Sequence, residues 1–211
     1  MVLKMANKIK RLNILQERLW QLEIDAAVLV LSRDIYYYTG TAQPCILVVT
    51  PKEYFLIVRR ALDFVLEETW LDSSKILDNG SFKEVLLKLK EFGINSGKLG
   101  LETDVIPANL FLKIVSIFAD FKPVNISEEI IMQRMKKDQE EIDSIRTACH
   151  IMNAGHQRVL EVLSAGMTEL ELAAEVEYPT EKPGTREYYP CGILISILVA
   201  VPFPPEKTCL K

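Results

Sequence analysis

Residues 134–178, RMKKDQEEIDSIRTACHIMNAGHQRVLEVLSAGMTELELAAEVEY, read as two helices joined at a glycine, and everything before them reads as one domain. From Ile142 the apolar or small positions fall at Ile145, Cys149, Met152, His156, Val159 and Leu163, three and four apart, on one helix face. Gly166 suits the left-handed residue just past a helix end. Thr168 with Glu171 forms a capping box that starts the next helix. So long a stripe must be buried by something, or it leaves apolar surface that favours self-association.

Upstream of this pair the pattern is an alternation of helices and strands, which predicts an α/β fold with a mixed sheet and flanking helices. Ile9, Leu12, Leu15, Leu19 and Leu22 recur at helical spacing and predict a covering helix over 7–22. AAVLVL at 26–31 is a short β-branched run between Asp25 and Ser32, of the kind that forms a strand buried on both faces. Residues 34–40, DIYYYTG, break that pattern. Residues 45–50 and 54–59 then read as a β-hairpin around Pro51, Lys52 and Glu53.

Beyond it come a helix over 61–70, a short strand at 75–77 and a helix opened by the Ser81 and Glu84 capping box. Gly93 ends that helix. A strand at 98–102, a helix over 109–118 with Pro107 in its first turn, and an extended segment at 122–125 complete the alternation. The domain boundary falls between 127 and 138.

The long stretch also carries a resemblance. Arg134, Lys136, Lys137, Glu140, Glu141, Ile142, Ile145, Arg146 and Ala148, followed by Gly166 to Glu169 and Leu172 to Ala174, resemble the opening of the catalytic domain in the creatinase, aminopeptidase P and Xaa-Pro dipeptidase group of M24 metallopeptidases. The resemblance implies a creatinase-like N-terminal domain at 1–127, a three-layer, ribonuclease H-like α/β sheet. It places a linker and the first helices of an incomplete pita-bread domain at 128–178. The strand, aromatic turn ending in Thr39 and Gly40, and hairpin match the same family toward the N-terminus. In that family two divalent metal ions, manganese or cobalt, are held by two Asp, one His and two Glu on strands further downstream, and the substrates are proline-containing peptides.

Composition narrows the alternatives. The net charge of −4, with Lys and Arg scattered among acids, gives no basic face for nucleic acid. Cys45, Cys149, Cys191 and Cys209 have neither zinc nor disulfide-framework spacing, which predicts reduced thiols in a cytosol. The basic start leads into an amphipathic helix, not a signal sequence. The apolar run at 193–201 is about half of the roughly 20 residues a membrane helix needs. A soluble, cytoplasmic protein without membrane or nucleic-acid partners is expected.

The candidates for chemistry in these residues each have a structural rival. Asp25, Asp34 and Asp104 sit near strand ends, where α/β proteins place catalytic groups, but such aspartates are also turn residues. Tyr36, Tyr37 and Tyr38 suit packing better than ligand stacking. The GKLG of 97–100 lacks the spacing of a phosphate loop and reads as a turn into a strand. His156 lies on the helical stripe and reads as a packed or interface histidine. His150 lies off it, and Glu171 and Glu175 read as a cap and an exposed charge. No catalytic or metal-binding residue is therefore assigned, and no bound cofactor is expected in these residues.

The segment 179–211, PTEKPGTREYYPCGILISILVAVPFPPEKTCLK, contains no Asp and no His and departs from the family pattern. A shifted reading frame would account for it: read one nucleotide out, residues 181–187 can back-translate into Lys-Ala-Gly-His-Glu-Gly, which resembles what relatives carry there. The resemblance implies an N-terminal part of an M24 peptidase, truncated and inactive by itself. Its first domain would serve homodimer contacts and limit substrate length. Two alternatives are a stand-alone interaction or dimerisation module using the stripe of 142–163, and a small-molecule enzyme centred on Asp34, in which Asp34→Asn would abolish activity and spare stability.

Overall fold

Alternating strand residues sort this chain into two cores, one on each face of a single six-stranded sheet. The computed structural model describes residues 2–78 and 80–177, with side chains over 9–78 and 80–176. The segment 179–211, with Cys191, Cys209 and the proposed frame shift, lies outside the described residues. The chain divides into two units, Met1–Lys136 and Lys137–Lys211.

The first unit opens with α1 (Val2–Gln21), β1 (Ala26–Leu29), α2 (Ser32–Thr39) and the hairpin strands β2 (Cys45–Val49) and β3 (Tyr54–Val58). It continues through α3 (Leu62–Glu68), β4 (Ile76–Leu77), α4 (Phe82–Glu91), β5 (Gly97–Leu101), α5 (Ala108–Ile117), β6 (Phe121–Asn125) and α6 (Ser127–Met135). The strand order is β4-β3-β2-β1-β5-β6. β2 runs antiparallel to β1 and β3, whereas β1 pairs parallel with β5, β5 with β6, and β3 with β4. The mixed α/β sheet expected from the alternation is thus the observed architecture.

Period-two geometry explains the layering. Ala27, Leu29, Leu47, Val49, Leu56 and Val58 face a core closed by Leu12, Leu15 and Leu19 of α1, Ile35 and Tyr38 of α2, Val65 of α3 and Ile130 of α6. Their sequence neighbours Ala26, Val28, Ile46, Val48, Phe55 and Ile57 face a second core with Phe82, Val85 and Leu89 of α4 and Ile114 of α5. Burying each large apolar side chain contributes about 1.5–3 kcal/mol, so both faces stabilise the sheet.

Two expectations change. Residues 34–40, read as a break, belong to α2, which ends at Gly40 with φ 85. Tyrosine and isoleucine are mediocre helix formers, so burial of Ile35, Tyr37 and Tyr38 decides the outcome. The glycine junction also shifts. In the second unit, α7 (Gln139–Val162) ends at the extended Leu163, before Gly166, whose φ of 94 lies in the turn toward α8 (Glu169–Glu177).

The caps of the second unit follow local chemistry. Asp138 and Glu141 form a reciprocal capping box at the start of α7. Thr168 Oγ1 accepts from Glu171 N–H at 3.3 Å, and Glu171 Oε2 accepts from Thr168 N–H at 2.8 Å. The α7 stripe is only partly covered: Val159 is buried, but Ile145 and Leu163 are each 49% exposed and His156 is exposed. A packed role for His156 is therefore not what the described residues provide.

Candidate functional site

Three parallel strands, β1, β5 and β6, end at the same edge of the sheet, where open α/β folds place their ligands. Asp34 arrives there in the first turn of α2, and Glu102 immediately follows β5. Both are buried, at 2% and 1% exposure. Strand alternation explains the direction of Glu102. Gly100, two residues earlier, lies against Ile126 and Ala27 of the core under α1, α2 and α6, so Glu102 turns to the same face.

The two carboxyl groups have different partners. Asp34 Oδ1 lies 2.8 Å from Arg134 Nη1, and its Oδ2 lies 3.2 Å from Arg33 Nη2. Glu102 Oε2 accepts from the backbone N–H groups of Val30 at 2.8 Å and Leu31 at 3.3 Å. No donor among the described residues reaches Glu102 Oε1, which is left without a hydrogen bond. Asp34 thus faces two guanidinium groups. Burial, aided by the neighbouring Asp34, pushes the Glu102 carboxyl up to about 8, against the opposing effect of the backbone N–H bonds.

Around this pair the tyrosines act as struts. Tyr38 O–H donates to Gln133 Oε1 at 2.9 Å, and Tyr37 O–H donates to the Gln133 carbonyl at 3.4 Å. Gln133 Nε2 donates to the Arg11 carbonyl at 2.7 Å, and the Arg11 guanidinium lies 4.2 Å from the centroid of the Tyr37 ring. Tyr37 and Tyr38 meet edge to face, whereas Tyr36 is exposed. Packing is thus the role of two of the three tyrosines.

Of the three strand-end aspartates, Asp34 alone enters the buried cluster. Asp25 accepts the Lys98 N–H at 2.7 Å and ties β1 to β5, and Asp104 is exposed. His150 is exposed on α7, Glu171 is the expected cap, and Glu175 pairs with Arg158. Glu102 was not among the sequence candidates. Its one signal is position: an acid directly after a buried strand, aligned in period two with a glycine facing the core.

The chemistry open to the cluster is limited. With Asp34 and Glu102 sealed from solvent and Asp34 held by guanidinium groups, the pair lacks the exposure required to exchange a proton with a substrate. The donors also do not fit a metal centre: arginines occupy Asp34, and among the described residues no three His, Cys, Asp or Glu side chains converge to hold an ion. Cys45 is buried, and burial raises its thiol to about 11, which keeps it unreactive. No helix among the described residues is long and apolar enough to cross a membrane.

A mixed sheet with three parallel strands ending at a sealed polar cluster defines an α/β domain. The chain belongs to the Creatinase/Prolidase N-terminal domain family, whose model matches residues 11–136. It is 27% identical over 190 residues to an uncharacterized hydrolase/peptidase, y4tL, of Sinorhizobium fredii, covering 81% of this chain and 49% of that protein. It is 24% identical to an Xaa-Pro dipeptidase of Pyrococcus horikoshii, covering 78% and 45%. Among solved structures, X-Pro aminopeptidase from Thermotoga maritima superposes with a TM-score of 0.63 at 26% identity, covering 77% of this chain and 48% of that one. The chain spans about half the length of these relatives. Since 81% of the chain exceeds the 136 residues of the first unit, the likeness to the hydrolase/peptidase continues into the second.

Proposed function

We propose that these residues are the N-terminal part of an Xaa-Pro dipeptidase or aminopeptidase P-like M24 metallopeptidase. The family match over 11–136, with relatives of about twice the length, carries the proposal. Residues 1–127 are assigned to the accessory domain, and 128–178 to the linker and first helices of the catalytic domain. The metal ligands of such an enzyme, for two manganese or cobalt ions, belong to strands further downstream. A water activated between the metals would attack the peptide carbonyl in the full-length enzyme. The present residues supply support for that site and no reacting group. Hydrolysis of Xaa-Pro dipeptides with manganese or cobalt supplied is the direct test, and the 211 residues by themselves are expected to give no turnover.

Exposure on α7 and α8 favours self-association as a second property. Ile145, Leu160, Leu163 and Leu170 are 49%, 64%, 49% and 81% exposed, a large apolar surface for a chain to leave in water. Sedimentation is expected to show a mass that rises with concentration, and a concentration-independent monomer would contradict this. A cytoplasmic location accords with the reduced-thiol reading of the cysteines.

A further inference from the structure

At the end of the sheet where β1 and β5 begin, opposite the Asp34 and Glu102 cluster, lies a cavity of about 530 Å³, the size of a small-ligand site. Trp20, Phe92, Ile24 and Ile94 give it apolar walls. Three carboxylates, Glu23, Asp25 and Glu53, share the lining with a single ammonium group, Lys52. We propose that this cavity binds a small organic cation, an ammonium head on a short apolar stem, with the head over the Trp20 ring and beside the Glu23 carboxylate.

Trp20 is the aromatic face open to a ligand. α1 sends Leu12, Leu15 and Leu19 into the core, whereas Trp20 is 71% exposed and belongs to neither core. Its ring meets no other ring and no cation among the described residues. Phe92 is already engaged, by the Phe55 ring at 5.9 Å and the Lys88 ammonium at 5.5 Å, and serves as a wall. An indole face attracts a cation through its quadrupole, most strongly where water is partly excluded.

The charges select the same ligand. Glu53 is neutralised by Lys75 at 2.6 Å, and Asp25 holds the Lys98 N–H. Glu23 is looser: its side chain is 87% exposed and the Lys98 ammonium approaches only to 3.4 Å, so the pair is weak and its carboxylate is available. An anion would meet three carboxylates here, and a neutral ligand would leave both Glu23 and the indole face unused.

Glu23 also permits a variant that separates binding from folding. Ile24 N–H donates to the Leu19 carbonyl at 2.9 Å and Glu23 N–H to the Trp20 carbonyl at 3.1 Å, the paired bonds that close a helix on a left-handed residue. Glycine suits that position, yet Glu23 occupies it with φ 55. Glu23→Gly therefore removes the carboxylate while relieving the backbone, and its thermal midpoint is expected to rise.

Calorimetric titration of the full 211-residue chain with choline and with neohexyl alcohol, its uncharged carbon isostere, tests the proposal, which stands apart from the peptidase reading. Choline is expected to bind wild type about tenfold more tightly than the alcohol. Trp20→Ala, a change at the surface, and Glu23→Gly are each expected to lower choline affinity about tenfold and to leave that of the alcohol less affected. Equal affinity of wild type for the two ligands, or no choline binding, would overturn the cation site. Choline affinity unchanged in Trp20→Ala would overturn the role of the indole, and affinity unchanged in Glu23→Gly that of the carboxylate.

Discussion

Asp34→Ala lowers the stability of the first unit by about 2–4 kcal/mol, read as a shift in the urea midpoint with an unchanged slope. Removing one member of a buried ion pair strands its partners, and here Arg134 and Arg33 lose their carboxylate together. The value lies below the full cost of a sealed pair because the Arg33 and Arg134 side chains are 52% and 25% exposed and water recovers part of the loss. Asp34→Asn keeps two polar atoms in place and costs about 1–2 kcal/mol. An Asp34-centred enzyme requires the opposite, lost activity with stability intact. A midpoint unchanged in Asp34→Ala would show that the cluster does not hold the fold.

Gly97→Ala is the second large effect, at about 2–4 kcal/mol, from backbone strain and a displaced hydrogen bond acting together. Gly97 has φ 129, a conformation L-residues rarely adopt, and an added Cβ would lie 2.0 Å from Asp25 Oδ2. That oxygen accepts the Lys98 N–H, so relieving the clash loosens the junction of β1 and β5. Thermal unfolding of Gly97→Ala beside Gly93→Ala separates the two causes. Gly93 also has a positive φ, of 79, but nothing lies within 4 Å of its added Cβ, so it reports strain alone. Equal destabilisation of both variants would mean that the Asp25 contact contributes nothing.

Much of the fold was legible in the sequence because its signals are local. The apolar run from Ala26, the paired strands around Pro51 and the capping boxes at Ser81 and Thr168 each act within a few residues of themselves, and each is observed. α2 was missed because its support is tertiary: Ile35, Tyr37 and Tyr38 form a helix by burying a face against α1 and the sheet. The Asp138 cap was missed for a different reason. Its box with Glu141 precedes the apolar stripe by a full turn, so the periodicity began the helix too late. Ala61 is a third case, since its φ of 62 follows from the connection between β3 and α3, and alanine carries no hint of it.

The polar cluster was less legible still. Asp34 stood out as a strand-end aspartate, but its partner Arg134 lies a hundred residues downstream and belonged to a motif read for another purpose. Glu102 resembled an ordinary acid at a strand end. Its burial requires β1 beside β5 and the cover of α2 and α6, which no short window of sequence contains.

Bound metal and peptidase turnover, measured together on the purified 211-residue chain, test the functional proposal most directly. After dialysis against manganese- or cobalt-containing buffer and then metal-free buffer, the account predicts no stoichiometric metal and no metal-dependent hydrolysis of Xaa-Pro dipeptides. Stoichiometric metal with manganese-dependent turnover would contradict it, and would mean that these residues contain a complete catalytic centre.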